Sequence, residues 1–372
     1  MDAKRLAYWV SLSDPKYLPM MGMPLFVVYL AGGPPSFWLI VGGGVAVVVL
    51  NTMAVLVNML KDRHADQINI PDGASAIQRY VGYERLGIWI AAGAALLVTA
   101  TVTMWMSVSP QVAILYAIGA LIAINYSAGL RLKRSLLASR IAVACGPAIS
   151  FAGGWALREP LANLPTAIAI LFVGHGLHLL IKDIPDAEGD RRMGVRTLFT
   201  GRHATRLRSV LPVLWAIPFA LAAGGVLAGW WPTRYLALAV LYPFGLLVIG
   251  VTVTARDQHD RESARELAQI YAMTFVCANL FLFAPTAVTV TLIVASYAMY
   301  LTILALRIDR RQQAHGLTVL ARFVPGRNRP AREQVEVSRC PPRPTSLRVT
   351  TSSSRRCSSE RCGSRTASCA PT

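Results

Sequence analysis

The apolar positions of this chain come in runs close to the thickness of a bilayer rather than in the narrow stripe of a soluble helix. The runs predict membrane-spanning helices at 17–33, 36–60, 86–107, 110–128, 137–157, 163–182, 207–229, 235–255, 268–284 and 286–306. Only Ala284-Pro285 separates the last two, so they read as two spans or as one broken helix, giving nine or ten in all. The expected fold is an all-α, polytopic membrane bundle. Residues 1–306 form one membrane domain, and 307–372 form a basic tail that is Ser-, Arg-, Pro- and Thr-rich and is expected to be disordered.

Composition agrees with that reading: 54% of the 372 residues are hydrophobic, 15% are charged, and mean hydropathy is +0.46. The net charge of +18 would ordinarily suggest nucleic acid. Its distribution argues instead for topology and a lipid bilayer, with no nucleic-acid partner. The tail from Arg307 carries 14 Arg and 4 acids, and most of the remainder lies in loops at one end of the spans. Counting Lys and Arg loop by loop gives 21 on the N-terminal side and 2, Arg158 and Arg234, on the other. The positive-inside rule therefore places the N-terminus on the cytoplasmic side of the cytoplasmic membrane. The first run has no small-residue cleavage site and leads into another span, so it reads as an anchor and not a signal peptide. Cys340, Cys357, Cys362 and Cys369 lack zinc-site spacing, and Cys145 and Cys277 read as core residues.

Two acidic clusters interrupt this apolar pattern at cytoplasmic helix ends. Asn58, Asp62 and Asp66 are four apart and share one helix face. Lys182, Asp183, Asp186 and Asp190 follow the sixth span, where Pro185 argues against a regular helix and Gly189 allows a turn. Five converging carboxylates repel unless cations bridge them, and hard oxygen donors beside a basic loop suit Mg²⁺ and a diphosphate. Between the clusters, Tyr126, Ser127, Arg131, Lys133 and Arg134 mark a third cytoplasmic end, with cations suited to phosphate oxygens. The loops from Asp62 to Arg85 and from Asp183 to Arg208 are the longest of the domain, and their matching positions hint at an internal repeat.

The order Asn58-xxx-Asp62-xxx-Asp66, then Tyr126-Ser127-xxxx-Leu132-Lys133-Arg134, then Lys182-Asp183-Ile-Pro-Asp186-xxx-Asp190-xxx-Gly194-xx-Thr197-Leu198 resembles the UbiA superfamily of intramembrane prenyltransferases. The second aspartate motif is most similar to the homogentisate prenyltransferase branch. The resemblance covers about residues 10–300 and implies nine helices around a central cavity. It implies that Asn58, Asp62, Asp66, Asp183, Asp186 and Asp190 hold Mg²⁺ and an isoprenyl diphosphate. By the same resemblance Arg131, Lys133 and Lys182 bind the diphosphate, and Tyr126 lies near the allylic carbon. The implied reaction ionises the allylic C–O bond, and an aromatic or quinone-like acceptor captures the carbocation.

Relatives usually carry an Arg-Pro pair after the first motif. Here the chain reads Asn69-Ile-Pro71-Asp72-Gly73-Ala74, with no arginine before Arg79. That departure favours an unusual acceptor, or none, in which case the prenyl chain attacks itself and the enzyme is a terpene cyclase. A transporter is the alternative from another class, although its sites usually lie near the midplane. His175 and His178 could line an acceptor cavity or relay a proton, but a packed structural role fits them better. Tyr271, Asn279, Trp105, Trp155, Trp230 and Trp231 read as core or interfacial residues.

Overall fold

The computed structural model describes residues 14–33, 36–195, 197, 199–200 and 208–305. The predicted tail from 307 lies outside the described residues, as do the loop cations Lys4, Arg5, Arg196, Arg202 and Arg206. The α-helices are α1 (Leu18–Ala31), α2 (Phe37–Asn69), α3 (Pro71–Tyr80), α4 (Tyr83–Val108), α5 (Pro110–Ser127) and α6 (Leu136–Ala156). They continue with α7 (Ile168–His178), α8 (Ala187–Arg192), α9 (Leu211–Leu227), α10 (Leu241–Thr254), α11 (Gln258–Phe283) and α12 (Ala287–Ala305). Two 3₁₀ segments, Leu179–Asp186 and Thr233–Val240, lead into α8 and α10. No strand occurs among the described residues.

Seven of the described helical stretches are long and apolar enough to cross a membrane, and α9 and α12 are shorter apolar helices. Phe37, Trp38, Trp89, Leu96, Leu227 and Trp230 are all at least 67% exposed. A water-facing surface would not tolerate that band; it is the lipid-facing side of an integral membrane protein. Inside the bundle, α1 packs on α2, α6 and α12, while α2 packs on α4 and α5. The circuit continues from α5 to α6, α7, α9, α10 and α11.

Helix ends are set by identifiable groups. Pro71 and Pro110 start α3 and α5, where a missing N–H costs nothing. Asp257 caps α11 by accepting the Asp260 N–H at 2.7 Å. The two arginines of the charge-poor side both serve helix C-termini. Arg158 donates to the Tyr29 and Gly33 carbonyls at 3.1 and 3.0 Å, closing α1. Arg234 donates to the Leu282 and Phe283 carbonyls at 2.5 and 3.3 Å, closing α11. The Ala284-Pro285 junction is thus a true break, and α11 and α12 are separate helices.

Three predicted boundaries move. The second span does not stop at 60 but continues as one helix to Asn69, and it carries the first acidic cluster on one helix as its spacing predicts. Most of the following segment is α3 rather than irregular chain. The ninth span begins at Gln258, ten residues earlier than its apolar run, because Glu262, Arg265 and Glu266 are buried within the bundle.

Candidate active site

Because α2 is unbroken, Asn58, Asp62 and Asp66 descend one face over two turns. Asn58 accepts a hydrogen bond from the Ser127 hydroxyl at 2.5 Å, which ties α2 to the end of α5. Asp62 is ion-paired with Lys133. Asp66 is buried. Lys133 reaches Asp62 from a tight turn. Asn125 accepts the Leu130 N–H at 3.2 Å, and Gly129 and Arg131 adopt positive φ. Burial pulls the Lys133 ammonium down to about 8, against the raising influence of the nearby Asp190 and Asp186 carboxylates.

The second cluster is built differently. The chain passes Pro185 as a 3₁₀ helix, and this rotates Lys182 and Asp183 relative to a regular helix. Asp183 Oδ1 accepts from Lys182 at 2.7 Å and Oδ2 from Arg140 at 2.7 Å. Lys182 also donates to the Tyr126 hydroxyl at 3.2 Å. Asp190 stands on α8, which ends in a paired turn at Gly194. There the Val195 N–H bonds the Asp190 carbonyl at 2.8 Å and the Gly194 N–H bonds that of Arg191 at 3.2 Å.

The two clusters meet through backbone. Asn69, buried at the end of α2, accepts the Gly189 N–H at 2.8 Å. A Cβ on Gly189 would fall within 2.5–2.8 Å of the Asn69 amide. Gly189 was expected to permit a turn; its place inside α8 shows that it permits close approach instead.

Above this junction opens a cavity of about 320 Å³. Its mouth is polar, with Asn58, Tyr126, Lys182, Asp183 and Asp186, and most of its wall comes from apolar faces of α2, α5 and α6. Asp62, Asp66, Asp190 and Lys133 do not line the cavity, and Arg131 stands exposed on its turn. Among the described residues no three His, Cys, Asp or Glu side chains are disposed to hold a metal ion together. Both oxygens of Asp183 rest on cations, Oδ1 on Lys182 and Oδ2 on Arg140.

Sequence reasoning missed three residues here. Arg140 was counted only as a topology cation; its position inside a predicted span was the available signal. It is buried and also donates to the Leu179 carbonyl at 2.7 Å. Asn69 carried no signal that spacing could expose. Arg265, counted as a loop residue, is buried, stands 3.0 Å from Glu262, and lines the cavity mouth. Cys145, expected in the core, is only half-buried and also lines the cavity.

His175 and His178 are fully buried away from the cavity. The His178 ring packs against Trp215, Tyr271 and Phe275 with centroids 5.0, 4.9 and 4.6 Å away. Packing, not acceptor binding, is their place. Tyr271, Asn279, Trp105 and Trp231 are buried and Trp230 is exposed, consistent with core and interfacial positions.

The sequence matches the model of the UbiA prenyltransferase family over residues 19–270. Among solved structures it is similar to one described as digeranylgeranylglyceryl phosphate synthase in membranes, at 15% identity and TM-score 0.52, covering 76% of this chain and 98% of that one. It is also similar to a UbiA homologue from Archaeoglobus fulgidus bound to DMAPP and Mg²⁺, at 17% identity and TM-score 0.50, covering 72% and 99%. The same homologue bound to GPP and Mg²⁺ gives 16%, 0.50, 73% and 99%. These are likenesses of fold. No curated protein matches the sequence. With two acidic motifs brought together by the Asn69–Gly189 bond, and a family match spanning more than half the chain, this protein belongs to the UbiA prenyltransferase family.

Proposed function

We propose that this chain is a Mg²⁺-dependent intramembrane enzyme that ionises an isoprenyl diphosphate and transfers the prenyl group to an aromatic or quinone-like acceptor. The observation that carries the reading is one juxtaposition: Asn58 of α2, Lys182, Asp183 and Asp186 of the 3₁₀ segment, and Arg265 of α11 line one cavity whose remaining wall is mostly apolar. The charged head of a diphosphate suits the mouth, and its chain suits the wall.

The residues fit Mg²⁺ even though no three carboxylates are gathered. Mg²⁺ usually takes one or two carboxylates and completes its shell with water and substrate phosphate oxygens. Asp62 and Asp66 on one side, Asp186 and Asp190 on the other, with the Asn58 amide oxygen, would hold it. When bound, Mg²⁺ neutralises the diphosphate and stabilises it as a leaving group. Lys182 and Lys133 supply positive charge for the departing oxygens. Asp183, clamped by Arg140, orients Lys182 toward Tyr126. The Tyr126 ring, 5.6 Å from the Lys182 ammonium, presents π density near the cation that ionisation leaves behind. The apolar wall keeps water from that cation. The mouth opens to the cytoplasmic side, as the cation asymmetry of the loops supports.

The test is diphosphate release by the purified protein in lipid vesicles with Mg²⁺ and geranyl or farnesyl diphosphate, with and without an aromatic acceptor. Release that requires the acceptor, and stops on chelation or in Asp62→Ala and Asp186→Ala, is the expected result. Release with a cyclic hydrocarbon or terpene alcohol and no acceptor would make the enzyme a terpene cyclase. Unaltered release in both Asp variants would remove the site.

A further inference from the structure

The cavity lining extends along α2 and α5, and Tyr116 stands at its far end. On α5 its lining runs from Tyr126 at the mouth to Tyr116, ten residues and about 15 Å of helix rise. On α2 it runs from Asn58 to Val47, a similar length. Beyond Tyr116 there is no room. The ring is stacked on Trp105 with centroids 6.1 Å apart and an interplanar angle of 18°. Both sit in a packed cluster with Ala46, Val112, Ala113 and Ala156. Trp105 is 0% exposed and Tyr116 1%, so the floor is backed by solid core.

The charged groups stand at one end only, and Asn51 and Ser150 are neutral polar side chains deeper in the wall. The groups suited to a diphosphate all lie at the Tyr126 end, so an allylic chain held there must run toward Tyr116. Four carbon–carbon bonds per isoprene unit span about 5 Å when extended. A depth of about 15 Å therefore takes about three units. One helical level nearer the mouth, Gly119 leaves the channel open: a Cβ there would meet Ile149 at 3.6 Å and Leu50 at 3.8 Å, which is ordinary contact. A larger side chain at 119 would extend into the path of the chain. Gly119 is seven residues from Tyr126, about 10 Å or about two units deep.

We propose that Tyr116 is the chain-length-determining residue of this enzyme, a floor that admits prenyl diphosphates up to farnesyl and excludes geranylgeranyl. The proposal rests on the prenyltransferase reading of the site. It assigns Tyr116 a steric role, so its hydroxyl, which has no hydrogen-bond partner, is dispensable. A closed apolar pocket discriminates by about tenfold or more for each methylene it cannot accommodate, so a whole excess isoprene unit is a strong signal.

The test is binding of non-hydrolysable thiolo-analogues of geranyl, farnesyl and geranylgeranyl diphosphate to the full chain in vesicles with Mg²⁺, by calorimetry. Wild type and Tyr116→Phe should bind the first two and not the third. Tyr116→Ala should gain the geranylgeranyl analogue by about tenfold or more in affinity. Gly119→Leu should lose the farnesyl analogue and keep geranyl, an arm that stands even if Tyr116→Ala fails to fold. Equal binding of all three analogues by wild type, or one length profile shared by all variants, overturns the floor while leaving the prenyltransferase reading intact. Binding of none of them overturns that reading, and the floor with it.

Discussion

Asn69 on α2 accepts the backbone N–H of Gly189 on α8 at 2.8 Å, and this bond ties the helices that carry the two acidic motifs. Removing the amide leaves a buried donor unsatisfied, at a cost of about 1–3 kcal/mol. Asn69→Leu is expected to lower the melting temperature and weaken Mg²⁺-dependent diphosphate release together. Gly189→Ala should do the same from the other side, because its Cβ would occupy the space of the Asn69 amide. Thermal unfolding in detergent and diphosphate release are the two measurements. A variant of either kind with unchanged activity would show that the two motifs work without this register.

Arg140 and Asp183 form a buried pair 2.7 Å apart, and Lys182 holds the second carboxylate oxygen at 2.7 Å. Truncating one partner of such a pair strands a charge and typically costs about 3–5 kcal/mol. Arg140→Met should therefore destabilise the protein strongly, while Arg140→Met with Asp183→Asn should recover much of the loss. Asp183→Asn alone is expected to release Lys182 from its orientation and lower kcat more than it raises KM. A double-mutant cycle on melting temperature, with kinetics on the folded variants, checks both statements.

Much of the fold was legible because a bilayer imposes length and apolarity on each span, and α4, α5 and α6 end within two residues of their predicted limits. Where charge is buried inside the bundle, apolarity no longer marks the helix. Glu262, Arg265 and Glu266 look like loop residues to any hydropathy count, yet they occupy the first two turns of α11. The acidic motifs were visible because the spacings of Asn58, Asp62 and Asp66 repeat the helical period. Pairing was not visible: nothing in the sequence says that Arg140 meets Asp183, or that Asn69 meets Gly189, 43 and 120 positions away. Those contacts depend on how α2, α6 and the 3₁₀ segment pack, and local patterns do not encode that.

His178 is fully buried and enclosed by Trp215, Tyr271 and Phe275. A neutral imidazole there acts as a flat ring among aromatic rings. His178→Phe keeps a flat ring among the aromatic rings and removes two buried polar atoms, so it should leave the melting temperature unchanged or raise it, with activity retained. His178→Ala should instead open a cavity and destabilise by about 3 kcal/mol or more, by analogy with large-to-small core changes. Loss of turnover in a stable His178→Phe protein would show that the imidazole itself takes part in the chemistry.

Lys133 is ion-paired with Asp62 and stands on the turn that follows α5. Its role can be separated from that of Asp62 by what each variant loses. Lys133→Met removes one charge-assisted bond to a diphosphate, worth about 1.5–3 kcal/mol, so affinity for inorganic diphosphate should fall by about 10- to 150-fold. Lys133→Arg keeps the charge and should recover most of that affinity. Asp62→Asn keeps the shape but loses the carboxylate, so its diphosphate binding should lose its dependence on Mg²⁺ concentration. Calorimetric titration of the three variants across a Mg²⁺ series distinguishes these effects. If Lys133→Met binds diphosphate as tightly as wild type, the ion pair is purely structural, and the leaving group is held by the other cations of the site.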